Sequence, residues 1–389
     1  MCQQIDMTQQ AKPDILILTH EYPPFRGGVG TYCEQLAAAA TRLGRKVTLW
    51  APGFGVAKES PSAKFKIERF RGGVFKHWQF PYILLLTLKA VLTHRNSIIL
   101  AADWPFVAAC GLLRRIIPFR YRIMLHGSEI LFLRTSRLLN LITLGDPFYK
   151  ADLICTNSNF TRGLLLQTYP GVPQEKALVT YLGMDGFWLN EKPKADAALL
   201  KRLGVPAGNK VVLSVGRLHP RKGQARTLAA LSTLPAALRK TVTYVMVGNA
   251  VDEAYHQELT GLVANANFNA IIASGLSNEE VRSLYQSATV FCVPSTTKGT
   301  KVEGFGLVFL EAAGSSLPSI AVAAAAVPEV VKDGETGLLV ASDDEKDLAP
   351  ALQKILSDDK LRTRLGTNAQ KWARNFTWER CATETFGAL

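Results

Sequence analysis

The sequence has no apolar run approaching the ~18 residues that a membrane-spanning helix needs. Its first ten residues, Met1 to Gln10, lack the basic-then-apolar order of a secretory leader, so a cytoplasmic location is expected. The six cysteines, at positions 2, 33, 110, 155, 292 and 381, form no close pairs, which argues against a disulfide framework or a structural zinc site. Cys155 in Leu153-Ile154-Cys155 and Cys292 in Phe291-Cys292-Val293 sit in apolar runs and read as core thiols of a reducing compartment. The Gly-Lys-Ser/Thr of a P-loop, the full dinucleotide fingerprint, a dense lysine tract and a metal-ligand cluster are all missing. Nucleic acid is therefore not expected as a partner.

What is present is ordinary for a soluble protein of two domains: 389 residues, 48% hydrophobic and 20% charged. The formal charge of +13 is lopsided, with 22 Lys and Arg against 12 Asp and Glu in residues 1–190, and 23 against 20 in the remainder. An anionic partner for the first half follows, and lipid phosphates fit it. Phe80 to Leu92 is too short to span a bilayer, and reads either as a core helix or as one lying at a membrane interface.

Asp14 to Thr19 predicts a buried parallel strand, Gly27-Gly28-Val29-Gly30 a turn opening a helix, and Lys46 to Trp50 the next strand. The pattern restarts at Lys210 to Gly216 and runs through Thr243 to Gly248, Asn269 to Ala273, Thr289 to Val293 and Pro318 to Val322. Two doubly wound α/β domains facing across a cleft are expected, over residues 1–190 and 191–370, with 371–389 a helix packing back on the first.

Glu303-Gly304-Phe305-Gly306-Leu307-Val308-Phe309-Leu310-Glu311 places one carboxylate before an apolar helix start and another two turns on, which suits a site for a sugar and a ribose. Gly216-Arg217-Leu218-His219-Pro220-Arg221-Lys222-Gly223 puts cations on a turn after a strand. Arg217 and Lys222 are the expected diphosphate clamp, with Arg221 and His219 less certain members. The glycines of Arg26-Gly27-Gly28-Val29-Gly30 let helix-start amides approach a diphosphate or an acceptor, although such turns also arise for geometric reasons alone. His126 ends a strand and is placed to hydrogen-bond a transferred sugar, while Asp103, at a comparable position, is the acceptor-side candidate to orient or deprotonate a hydroxyl.

Together with Pro328-Glu329-Val330-Val331-Lys332-Asp333-Gly334 and the residues after it, these motifs resemble the retaining nucleotide-sugar glycosyltransferase family that includes glycogen-synthase-like and bacterial lipid mannosyltransferase enzymes. The resemblance implies a GT-B fold with donor on the second domain and acceptor on the first. It also implies catalytic roles for Glu303, Arg217, Lys222 and His126, and donor contacts from Gly28, Gly216, Gly304, Phe305, Gly306, Leu307 and Glu311, the last on the ribose hydroxyls. No metal or other cofactor is implied, and a phosphate oxygen of the leaving diphosphate is the implied taker of the acceptor proton. One departure is Ala323-Ala324-Ala325-Ala326, where many relatives carry a glycine- and serine-containing turn.

The expected function is transfer of a hexose, with a lean to mannose from GDP-mannose, to a lipid-linked or glycan acceptor in cell-envelope synthesis, with peripheral contact to an anionic membrane. A UDP-sugar donor with a soluble acceptor, and a nucleotide- or polysaccharide-binding protein without turnover, are the alternatives.

Overall fold

The computed structural model describes residues 13–24, 27–55, 65–136, 146–189 and 196–387. Two parallel sheets carry the chain. The first has seven strands in the order β3-β2-β1-β4-β5-β6-β7, where β1 is Ile15–Leu18, β2 Val47–Pro52, β3 Lys66–Phe70, β4 Ile98–Ala101, β5 Tyr121–Leu125, β6 Leu153–Thr156 and β7 Ala177–Val179. The second has six in the order β10-β9-β8-β11-β12-β13, where β8 is Lys210–Val215, β9 Val242–Val247, β10 Asn269–Ala273, β11 Val290–Cys292, β12 Ser319–Val322 and β13 Gly337–Val340.

Helices cover both faces of each sheet, so the central strands are apolar without alternation, and every residue of β1, β4, β5 and β9 is buried. Strand β3 was not legible in the sequence because Lys66-Ile67-Glu68-Arg69-Phe70 is a half-exposed edge strand that carries charges. In both sheets the strand order reverses beside the first strand, between β1 and β4 and between β8 and β11. Ligands of open α/β sheets lie at the carboxyl ends of such a reversal.

The last helix, Trp378–Phe386, lies against helix Gly28–Arg42 of the first half, with Arg42 Nη2 2.7 Å from Glu379 Oε1. Trp378 is buried, its ring 6.1 Å from that of Tyr32, and Gly183 approaches the Trp378 amide so closely that a Cβ would stand 2.2 Å from it. Arg122, buried in β5, donates to the Thr385 carbonyl, placing a cation at the carbonyl end of this helix, where its dipole favours one. Helix Phe80–Thr93 buries Ile83, Thr87, Ala90 and Val91, while Tyr82, Leu85 and Leu92 face solvent. It is therefore neither wholly core nor wholly surface.

Candidate functional site

The second sheet contributes cations and carboxylates at its reversal point. After β8, Gly216 at φ 147° leads into a turn of 3-10 helix, Pro220–Lys222, closed by Gly223 at φ 75°. Gly223 also abuts Pro294, whose Cγ would be 2.6 Å from an added Cβ, so the turn is seated on the chain that follows β11. It aims Lys222 and Arg221 at one carboxylate oxygen: Nζ of Lys222 is 2.7 Å and Nη1 of Arg221 3.2 Å from Glu303 Oε2.

Burial by itself raises the Glu303 carboxyl, but the charges of Lys222 and Arg221 outweigh it and bring the pKa down to about 2. Arg221, which sequence reasoning left at the margin, is the buried cation of this cluster, whereas Arg217 is exposed. The sequence alone does not separate them: Arg217 and Arg221 stand on the same glycine-bounded turn, and only the turn geometry buries Arg221 against Glu303. His219 accepts the Arg221 backbone N–H on Nδ1 and is pushed down by burial and by Lys301, Arg221, Arg217 and Lys298, which marks this edge as strongly cationic.

Gly306, at φ 88°, turns the chain into helix Leu307–Gly314. Glu311 lies on that helix and accepts a hydrogen bond from Tyr285 Oη at 2.9 Å, and burial lifts its carboxyl to about 7. Phe305 packs its side chain into the core against Tyr181 and Phe376, and Leu307 packs half-buried on the same core, so only their backbones are left for a donor. Gly304 presses on the first half: Ser158 Oγ donates to its carbonyl at 2.8 Å, and the neighbouring Val302 N–H donates to Ser128 Oγ at 3.2 Å.

On the first sheet, helix Gly28–Arg42 starts beside the turn after β1. Gly28 has open space about it, while Gly30 is the glycine the packing requires, since a Cβ there would stand 3.3 Å from both Glu21 O and Tyr22 Cα. Arg26 lies outside the described residues. His126, half-buried after β5, has Nε2 3.2 Å from the Ala102 carbonyl and its ring 5.2 Å from Tyr32. Among the described residues Nδ1 has no hydrogen bond.

Asp103, after β4, is buried. Its Oδ2 accepts from Thr19 Oγ1 at 2.8 Å and from the His20 backbone N–H at 2.6 Å, and stands 2.9 Å from His20 Nδ1. Burial raises the Glu21 carboxyl, and His20, Asp103, His126 and, from the second half, Arg217 act on it electrostatically.

Glu329 was quoted in the sequence without a role. Its carboxylate accepts from the Asn159 and Phe160 backbone N–H groups, each at 2.8 Å, from Asn159 Nδ2 at 3.0 Å and from Tyr181 Oη at 2.8 Å. It thereby places a negative charge from the second half at the N-terminus of helix Asn159–Thr168 of the first.

Residues 26–185 match the family model described as Glycosyltransferase Family 4, and residues 196–372 the one described as Glycosyl transferases group 1. The chain is a GT-B glycosyltransferase. Across 94% of its length and 95% of the relative's, it is 28% identical to the GDP-mannose-dependent alpha-(1-6)-phosphatidylinositol monomannoside mannosyltransferase of Mycolicibacterium smegmatis. It is 30% identical to the D-inositol 3-phosphate glycosyltransferase of a Nocardioides species, over 60% of this chain and 52% of that one. The fold is also that of Anabaena Alr3699/HepE, solved with UDP and glucose, at a TM-score of 0.78 and 23% identity over 97% of this chain and 100% of the other. As a GT-B glycosyltransferase the chain is a transferase with a nucleotide-sugar donor. Among the described residues no three His, Cys, Asp or Glu side chains are grouped to hold a metal ion, and no helix is long and apolar enough to cross a membrane.

Proposed function

We propose that this glycosyltransferase moves mannose from GDP-mannose, with retention of anomeric configuration and without a bound metal, to a hydroxyl of a lipid-linked or glycan acceptor in cell-envelope synthesis. The observation that carries the proposal is the joining of Glu303 to Lys222 and Arg221 at the reversal point of the second sheet. In this reading Lys222 and Arg217 neutralise the departing diphosphate, Glu303 orients the sugar, Glu311 accepts from the ribose hydroxyls, and His126 with the Gly28 loop borders the donor from the first half. The lean to GDP-mannose is supported by the likeness, along nearly the whole chain, to two GDP-mannose-dependent enzymes.

A membrane-proximal acceptor is supported by Val74, Trp78 and Leu85, exposed at 60%, 73% and 64%, close in sequence to the exposed cations Arg71 and Lys76. The test is transfer of label from GDP-mannose to phosphatidylinositol monomannoside in anionic vesicles, with and without EDTA. Lipid-bound label with α configuration at the new linkage, undiminished by EDTA, is expected. Label carried only from UDP-glucose, or a β linkage, contradicts the reading.

A further inference from the structure

Just ahead of Glu303 the chain makes a hairpin that no step of the transfer uses. Lys298 and Lys301 exchange both backbone hydrogen bonds, each N–H donating to the other's carbonyl at 3.1 Å. Gly299, at φ 59°, takes the first of the two turn positions between them, a place for a left-handed residue in a two-residue hairpin loop. Residues paired in this way stand directly opposite one another, so both side chains rise from the same face of the hairpin. Two ammonium groups set opposite repel, and folding gains nothing from the pair. Both lysines are exposed, and among the described residues neither forms an ion pair with a carboxylate.

The hairpin is anchored at both ends beside the cleft. At its start the Thr296 N–H donates to the Arg221 carbonyl at 3.0 Å, which ties it to the turn that carries Arg217 and Lys222. At its end the Val302 N–H donates to Ser128 Oγ of the first half, and a Cβ on Gly127 would stand 2.8 Å from Val302 Cγ2. Burial, and after it Lys301, Arg221, Arg217 and Lys298, push the His219 pKa down, so hairpin and turn share one cationic edge. The donor diphosphate already has Lys222 and Arg217. With Glu311 on the ribose and Glu303 on the sugar, the chain ahead of Glu303 leads past the sugar to the first half. The hairpin therefore lies on the side from which the acceptor comes.

We infer that Lys298 and Lys301 bind a phosphate group carried by the acceptor, and so select phosphorylated over phosphate-free acceptors. The inference rests on the transferase reading of the cleft and names the class of acceptor. Each ammonium group can donate to a phosphate oxygen, and a phosphodiester seated between them replaces their mutual repulsion with two charge-assisted hydrogen bonds.

The experiment uses the full-length protein and two water-soluble acceptors: deacylated phosphatidylinositol monomannoside, and the mannosyl-inositol left when its glycerophosphate is removed. Neither forms a bilayer, so attraction to an anionic membrane does not enter. Wild type is compared with Lys298→Ala, Lys301→Ala, the double variant and Lys298→Arg, by calorimetric binding of each acceptor in the presence of GDP and by kcat/KM with GDP-mannose. The expected wild-type preference for the phosphorylated acceptor is on the order of 20-fold. Either alanine variant should reduce it about fivefold, the double variant should bring it near parity, and Lys298→Arg should keep it, with GDP affinity within about twofold throughout.

A preference absent in wild type, or one that survives the double variant, overturns the inference. A hairpin with a purely structural role would give the second result, since both acceptors would weaken alike. GDP affinity falling in step with acceptor affinity assigns the lysines to the donor and overturns it as well. The calorimetry needs no turnover. If wild type ignores GDP-mannose but uses UDP-glucose, the donor reading fails, and the same preference is read in the presence of UDP with the same outcomes deciding.

Discussion

Gly304 and His126 meet through their backbones: a Cβ built on Gly304 would stand 1.7 Å from the His126 carbonyl oxygen. Because Gly304 follows Glu303 directly, the contact that joins the two halves also sets where the Glu303 carboxylate stands. Replacing Gly304 by alanine must move one half from the other by more than an ångström. The expected result is a turnover lowered on the order of 100-fold, with each half still folded by circular dichroism.

Glu329 ties the halves together a second time. Replacing it by alanine removes the acceptor of four charge-assisted hydrogen bonds, from Asn159, Phe160 and Tyr181, and the charge at a helix N-terminus. Urea unfolding should show a loss of about 1–3 kcal/mol, while glutamine, which still accepts hydrogen bonds, should recover part of it.

The carboxyl of Glu311, lifted to about 7 by burial, gives the donor site a pH signature. A raised carboxyl stabilises the ligand-free fold below its ordinary titration range, and that contribution is lost as pH rises through about 7. Binding that needs the ionised carboxylate as acceptor runs the other way. GDP affinity measured by calorimetry should therefore strengthen between pH 6 and 8, and Glu311→Gln should flatten that rise.

The repeated run of strand, turn and helix was legible because apolar stretches such as Ile15–Leu18 and Val211–Leu213 are buried on both sheet faces and need no partner to be recognised. Edge strand β3 was not, since half its side chains meet water. Glu303 and Lys222 stood out as candidates because they stand beside glycine-bounded turns, and Glu311 because it follows Glu303 two turns on in an apolar helix. The pairings were hidden. Arg221 reaches Glu303, His20 reaches Asp103 and Glu329 reaches Asn159 only after residues separated by 82, 83 and 170 positions come together.

Ala325 holds φ 51°, a left-handed conformation that costs a residue with a Cβ about 1–2 kcal/mol. The Ala323–Ala326 run thus keeps the backbone of a glycine turn without its freedom, and the Ala326 N–H donates to the Glu303 carbonyl at 3.2 Å. Ala325→Gly should raise stability by up to ~1 kcal/mol once the added chain entropy of glycine is set against the relieved strain. Thermal unfolding decides between this and a loss.

The central claim is that Glu303, held between Lys222 and Arg221, serves the sugar and not the nucleotide. Glu303→Gln frees both cations for an anionic diphosphate while removing the carboxylate. Calorimetric titration of GDP-mannose into this variant, paired with its turnover, tests the claim most directly. The account predicts donor affinity equal to or tighter than wild type with turnover lowered on the order of 100-fold. Donor binding lost in step with turnover, or turnover retained, would contradict it.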